Sequence, residues 1–244
     1  MAPQTIALLL AAGFVAGFIN TVAGGGSAIT LTVLESLLGP TVANGTNRVA
    51  VFLANGVAVA GFARGDAVPW KRALPLIPPT VVGAGIGAWT ATRLSNQGMR
   101  TAFAFALLFV AVSVLVKPSR WTQQQKEPVL HEPWRSLAFL GVGFYGGFVQ
   151  AGVGFLILLA VVMGGGLDLV RGNAAKVLLI LSYTPVALLL FARAAQVDVK
   201  TGLVLAAGNT SGAWVAARLA VRRGAGWIRW VLVFVAVAAA VWML

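Results

Sequence analysis

The chain has 244 residues, of which 59% are hydrophobic and only 10% charged, and its mean hydropathy is +0.90. A soluble domain carries about 25% charged and about 45–50% apolar residues, so the composition excludes an ordinary soluble enzyme, a disordered tail and a nucleic-acid-binding module. Eighteen Lys and Arg against six Asp and Glu give a net charge of +12. Most of these cations cluster between apolar runs, so they report membrane topology rather than a nucleic-acid partner. The chain contains no cysteine, which removes disulfides, thiol chemistry and iron–sulfur clusters. This is the composition of an integral membrane protein.

Taken in order, an apolar helix is expected over about 5–22. Met1-Ala2-Pro3-Gln4 lacks the positive flank of a cleavable signal peptide, so this helix is expected to be retained. It runs into Ala23-Gly24-Gly25-Gly26-Ser27, where three glycines weaken any helix. A short apolar piece (about 28–38) follows, then longer segments at roughly 45–63, 73–93 and 99–116. A polar stretch leads to a second series at roughly 136–151, 154–167, 174–192, 201–220 and 227–243.

The two series are copies of one unit. Gly13-Phe14-Val15-Ala16-Gly17-Phe18-Ile19-Asn20 matches Gly143-Phe144-Tyr145-Gly146-Gly147-Phe148-Val149-Gln150 at an offset of 130, which pairs Asn20 with Gln150. Asn44 matches Asn173 at 129, and Gly87-Ala88-Trp89 matches Gly212-Ala213-Trp214 at 125. The organisation expected is a first transmembrane repeat (1–117), a cytoplasmic linker (118–134) and a second transmembrane repeat (135–244).

Charge decides how the repeats are oriented. Each glycine-interrupted pair is either one broken crossing or a hairpin that returns to its starting side. Hairpins divide the eighteen cations 13 to 5 between the two faces, with Arg48 counted on the poorer face and Lys176 on the richer; single crossings divide them 9 to 9. Only the first division obeys the positive-inside rule. The fold expected is therefore an all-α polytopic membrane protein of two inverted repeats, each a glycine-broken helix pair followed by three transmembrane helices, with both termini outside.

Broken helices within inverted repeats are a common build of secondary transporters, with the substrate at the repeat interface. The helix N-termini at a break can hold an anion through backbone N–H groups, which makes Gly24, Gly25 and Gly26, flanked by Asn20 and Ser27, candidate binding residues. The GxxxG pairs Gly13/Gly17, Gly83/Gly87, Gly143/Gly147 and Gly208/Gly212 are better explained by helix contact. Asn44, Arg48 and Asn55 form a stripe on one helix face with Asn47 beside it, and Asn173, Lys176 and Thr184 form a similar stripe with Tyr183 beside it. Asn44 and Asn173 stand near expected helix starts, where Asn also serves as a cap. Arg48 and Lys176 either meet the anion or snorkel to the interface. Glu35 reads as an interfacial carboxylate with a proton relay as the alternative, Asp168 as a turn or a partner for Arg171, and His131 as solvated. Trp89 and Trp214 read as packing residues or interfacial anchors. No metal site, cofactor site or nucleophile–base pair is legible, so an enzyme is not expected.

Gly17 to Ser27 and Val42-Ala43-Asn44-Gly45-Thr46-Asn47-Arg48 resemble the first-repeat signature of the sulfite exporter TauE/SafE family, also called the 4-toluene sulfonate uptake permeases. Gly143 to Gly154, which includes Gln150, Gly152 and Gly154, and Arg171-Gly172-Asn173-Ala174-Ala175-Lys176 resemble its second-repeat signature. The resemblance implies a transporter of small, typically sulfur-containing anions such as sulfite, sulfonates or sulfoacetate, in the inner (plasma) membrane. An anion channel and a carrier of another small organic anion are the alternatives. The partners implied are the anion and the lipid bilayer, with a proton or other coupling ion and a homodimer as open options.

Overall fold

Helices make up all regular secondary structure among the described residues, which are 1–115, 131–163 and 167–242 of the computed structural model. Helix α1 (Pro3–Val22) is followed by α2 (Ser27–Leu38) and α3 (Pro40–Arg64). One turn, α4 (Trp70–Ala73), leads through a 3-10 turn (Leu74–Leu76) into α5 (Ile77–Ala91), and α6 (Asn96–Leu115) closes the first half. The second half comprises α7 (Trp134–Phe148), α8 (Val153–Met163), α9 (Leu169–Arg193) and α10 (Val199–Trp242), the last interrupted at Gly224. Most of the expected linker, with Lys117, Arg120 and Lys126, and the Gly164–Gly166 run lie outside the described residues.

Among the described residues, four stretches are long and apolar enough to cross a membrane: Pro3–Val22, Pro40–Arg64, Trp70–Ala91 and Leu169–Arg193. Large apolar side chains such as Leu8, Phe14, Phe105 and Trp230 face outward, as the lipid-facing surface of a multi-pass membrane protein requires. Helices α3 and α9 are the most enclosed spans, with 56% and 61% of their apolar windows buried, so the centre of the molecule is built around this pair.

Several helix starts differ from the sequence expectation, each for a local reason. Helix α3 begins at Pro40, not near 45, because Gly39 turns the chain at φ 77° and Pro40 occupies the first helical turn, where no N–H is needed. Helix α9 begins at Leu169, not near 174, because the Asp168 carboxylate accepts from the amides of Val170 and Arg171 at 2.9 and 3.0 Å. Asn44 and Asn173 therefore stand inside their helices and cap neither; Asp168 is the cap, with Arg171 4.0 Å away as an ion-pair partner. The expected 201–220 and 227–243 segments join in α10 across Gly224 at φ 71°. Pro75, Pro78 and Pro79 shift the start of α5 into a 3-10 turn by removing helical donors.

The contacts also give helix directions. Leu9 near the start of α1, Leu34 near the end of α2 and Ala43 near the start of α3 share one apolar cluster, so α2 folds back along α1 and α3 departs from the end where α1 began. Gly172, at the start of α9, packs on Leu158 and Val162 of α8. Helices α3 and α9 are antiparallel, since Gly45 meets Phe191 and Gln196 while Gly56 meets Leu181. All four GxxxG pairs sit at helix contacts. Gly13 and Gly17 of α1 face Gly208 and Gly212 of α10, and Gly83 and Gly87 of α5 face Gly143 and Gly147 of α7, each pair of helices running parallel with backbones in close approach.

Candidate functional site

The two interruptions lie against each other, with the Gly24 backbone touching the Gly154 backbone. In the first, the amides of Ala23 and Gly24 both donate to the Ile19 carbonyl, at 2.7 and 2.9 Å, and Gly24 takes φ 93°. This is the left-handed helix ending that glycine makes inexpensive. Asn20 then spans the gap: its Oδ1 accepts the Ser27 amide at 3.1 Å and its Nδ2 donates to Ser27 Oγ at 3.1 Å. Gly25 lies against the Phe155 ring, and Gly26 against the Ala16 carbonyl. Asn20 thus occupies the first amide of α2, and the Asn20–Ser27 pair is largely satisfied by itself.

The second interruption is built differently. The amides of Val149 and Gln150 donate to the Tyr145 carbonyl at 3.0 and 3.4 Å, and Gln150 takes φ 67°. Gln150 therefore occupies the left-handed position that Gly24 holds in the first half, and it does not stand where Asn20 does. The sequence offset of 130 aligns the GxxxG contacts, but α7 ends one turn earlier relative to them than α1. A non-glycine residue there carries backbone strain of about 1–2 kcal/mol. The gap is spanned by the Tyr145 hydroxyl, which donates to the Ala151 carbonyl at 2.6 Å, and Gly152 also takes a positive φ of 68°.

Each interruption leaves helix C-terminal carbonyls inside the protein, where unpaired groups cost free energy. The cations of the polar stripes meet them. Lys176 on α9 donates to the carbonyls of Asn20 and Thr21 at 2.7 and 2.9 Å and to Asn173 Oδ1 at 2.5 Å. Arg48 on α3 donates to the carbonyls of Gly146 and Gly147 at 3.2 and 2.5 Å and to Asn44 Oδ1 at 3.3 Å, with its guanidinium over the Phe191 ring at 4.6 Å. Asn44 Nδ2 takes the Phe148 carbonyl at 2.7 Å. Both cations are 0% exposed, so neither snorkels and neither belongs to a membrane face as the charge division had counted it. Each long central helix lends a cation to the broken helix of the other half, where positive charge complements the helix dipole.

The donors are not equally spent. Lys176 has three N–H donors and three acceptors. Arg48 uses only its terminal nitrogens. Among the described residues, Arg48 Nε, Asn47 Oδ1, Gln150 Nε2 and the Tyr183 hydroxyl are buried without hydrogen-bond partners. Asn47 and Gln150 join through Asn47 Nδ2 to Gln150 Oε1 at 3.2 Å. The Tyr183 hydroxyl faces Gly146, 2.8 Å from where a β-carbon would stand, beside the carbonyl held by Arg48.

Other candidates fall elsewhere. Asn55 and Thr184 bond their own helices, to the carbonyls of Val51 and Ile180 at 2.8 and 2.5 Å. Glu35 pairs with Arg100 at 3.0 Å at an exposed site, and His131 is exposed. Trp89 and Trp214 are exposed, each beneath an arginine one turn on, Arg93 at 3.4 Å and Arg218 at 4.4 Å, an arrangement that suits interfacial anchors. Sequence reasoning missed Asn209 of α10, which is 1% exposed, lies against Gly17 and has both side-chain polar atoms without partners. Its signal was its place at the head of the polar triplet Asn209-Thr210-Ser211, directly after Gly208.

The model of the family described as sulfite exporter TauE/SafE matches residues 9–243. A Sinorhizobium protein named probable membrane transporter protein ORF9 is 30% identical over all of this chain and 94% of its own length. A probable membrane transporter protein of Haemophilus influenzae is 27% identical over 92% of this chain and 88% of its own length. The probable membrane transporter protein YfcA of Escherichia coli K12 is 27% identical over 96% of this chain and 88% of its own length. No solved structure matches the chain.

Proposed function

The chain belongs to the sulfite exporter TauE/SafE family, and from that premise we propose that it is a secondary transporter of small sulfur-containing anions, such as sulfite, sulfonates or sulfoacetate. It works by alternating access between two inverted repeats, 1–117 and 135–244, in the inner membrane, with the linker 118–134 in the cytoplasm. The observation that carries this reading is the pair of buried helix interruptions set back to back, each served by a cation from the opposite half. The antiparallel course of α3 and α9, and the folding back of α2 along α1, support the inverted arrangement.

The binding residues are those that meet around the interruptions: Asn20, Gly24, Gly25, Gly26, Ser27, Asn44, Asn47 and Arg48 from the first half, and Gln150, Gly152, Gly154, Asn173, Lys176 and Tyr183 from the second. A compact oxyanion head needs only a few amide donors and one cation in place of its hydration shell. A proton or other ion couples the movement, and a homodimer is compatible with the exposed apolar surface.

The test is a thermal-unfolding screen of the purified protein against sulfite, thiosulfate, methanesulfonate, sulfoacetate, acetate and succinate. A selective rise with the sulfur oxyanions supports the reading, because a ligand that binds only the folded state raises its stability. A rise confined to the carboxylates would redirect it to another class of organic anion.

A further inference from the structure

The two interruptions differ in what they leave for a ligand. At the first, Asn20 and Ser27 bond each other and the three donors of Lys176 are taken. At the second, Arg48 Nε is a donor and Asn47 Oδ1 an acceptor without partners, and the Gln150 amide and the Tyr183 hydroxyl have only each other nearby, short of a well-formed hydrogen bond. These four groups are tied together. Asn47 bonds Gln150, Arg48 is the next residue along α3, and Arg48 and Tyr183 both reach Gly146. Gln150 is held in strained left-handed backbone at φ 67°, a conformation that persists where the surroundings over-determine it and that collects at ligand sites.

An anion's oxygens satisfy donors but offer nothing to Asn47 Oδ1. A buried carbonyl oxygen left unpaired is costly, and Asn47 is 0% exposed. We propose that Asn47 is a specificity-determining residue. The anion settles at the second interruption, with its charged oxygens on Arg48, Gln150 and Tyr183, and Asn47 Oδ1 selects anions that also carry a hydrogen-bond donor, a hydroxyl, amino or acid proton, over donor-free anions of similar shape. The preference is for bifunctional anions. This inference rests on the anion-transport reading and deepens it.

Two matched probe pairs test it, ethanesulfonate with 2-hydroxyethanesulfonate and acetate with glycolate, each titrated calorimetrically into the purified full-length protein. A site built to pair a polar group discriminates strongly against an analogue lacking it. The hydroxylated member of at least one pair should bind about tenfold tighter or more. In Asn47→Leu that ratio should collapse toward one. Equal binding of both members by the wild-type protein overturns the selective role of Asn47, whether or not the variant folds, and so does a ratio that survives in Asn47→Leu. Wild-type protein that binds none of the four anions contradicts the anion site itself, and the role of Asn47 falls with it.

Discussion

The Nζ of Lys176 lies 2.7 Å from the carbonyl oxygen of Asn20, although the two residues come from opposite halves of the chain. The same ammonium takes the Thr21 carbonyl, so the C-terminal end of α1 is closed by α9. A membrane interior offers no water to do this. Lys176→Met would leave Asn20 and Thr21 with buried carbonyls unpaired and Asn173 without its acceptor bond. A hydrogen bond to a charged group contributes about 1.5–3 kcal/mol, so unfolding of the purified variant in detergent should show a loss of at least about 2 kcal/mol. An unchanged melting temperature would remove Lys176 from this structural role.

Arg48 does for α7 what Lys176 does for α1, but it spans two adjacent carbonyls with a fork. Arg48→Lys preserves the charge but loses the planar fork, its bond to Asn44 Oδ1 and its seat over the Phe191 ring. Anion uptake into proteoliposomes should fall by tenfold or more, on the order of 1.4 kcal/mol in the barrier. Wild-type uptake by Arg48→Lys would show that charge alone suffices.

Gly24→Ala meets two penalties at one site: a φ of 93° that disfavours any β-carbon and a Gly154 backbone already in contact. Left-handed strain of about 1–2 kcal/mol adds to overpacking of about 1–3 kcal/mol. Both thermal stability and transport should drop. Gly141→Ala, where a β-carbon meets nothing within 4 Å, is the matched control and should be silent.

The absence of native cysteine makes topology directly testable. Gln97→Cys, in the first turn of α6 at the end where α3 begins, should react with a membrane-impermeant maleimide added outside intact cells. Arg222→Cys, near the opposite end of α3, should react only after permeabilisation. Labelling of both from one side would refute the inverted arrangement.

The residues that assemble the centre were legible because function and fold left the same mark. Glycine runs and polar residues inside apolar segments are expensive in lipid, so Asn44, Arg48, Asn173 and Lys176 stood out. Their roles were less legible. Whether a cation faces a ligand or a helix end depends on where the other half's helix stops, and the extra turn of α1 relative to α7 is invisible in an alignment that matches GxxxG contacts. For that reason Gln150 paired with Asn20 on paper and with Gly24 in space. The helix starts were misplaced because Pro40 and Asp168 set them upstream of the apolar periodicity. Asn209 escaped because the triplet Asn209-Thr210-Ser211 covers three directions of its helix and forms no stripe.

Alternating access by an anion carrier is tested most directly by counterflow. Proteoliposomes loaded with unlabelled sulfite or sulfoacetate are diluted into a trace of the labelled anion. A carrier gives saturable entry with a transient accumulation of label above equilibrium, lowered tenfold or more in Arg48→Lys. Non-saturable flux without overshoot, accompanied by unitary currents in planar bilayers, would contradict it and identify a channel.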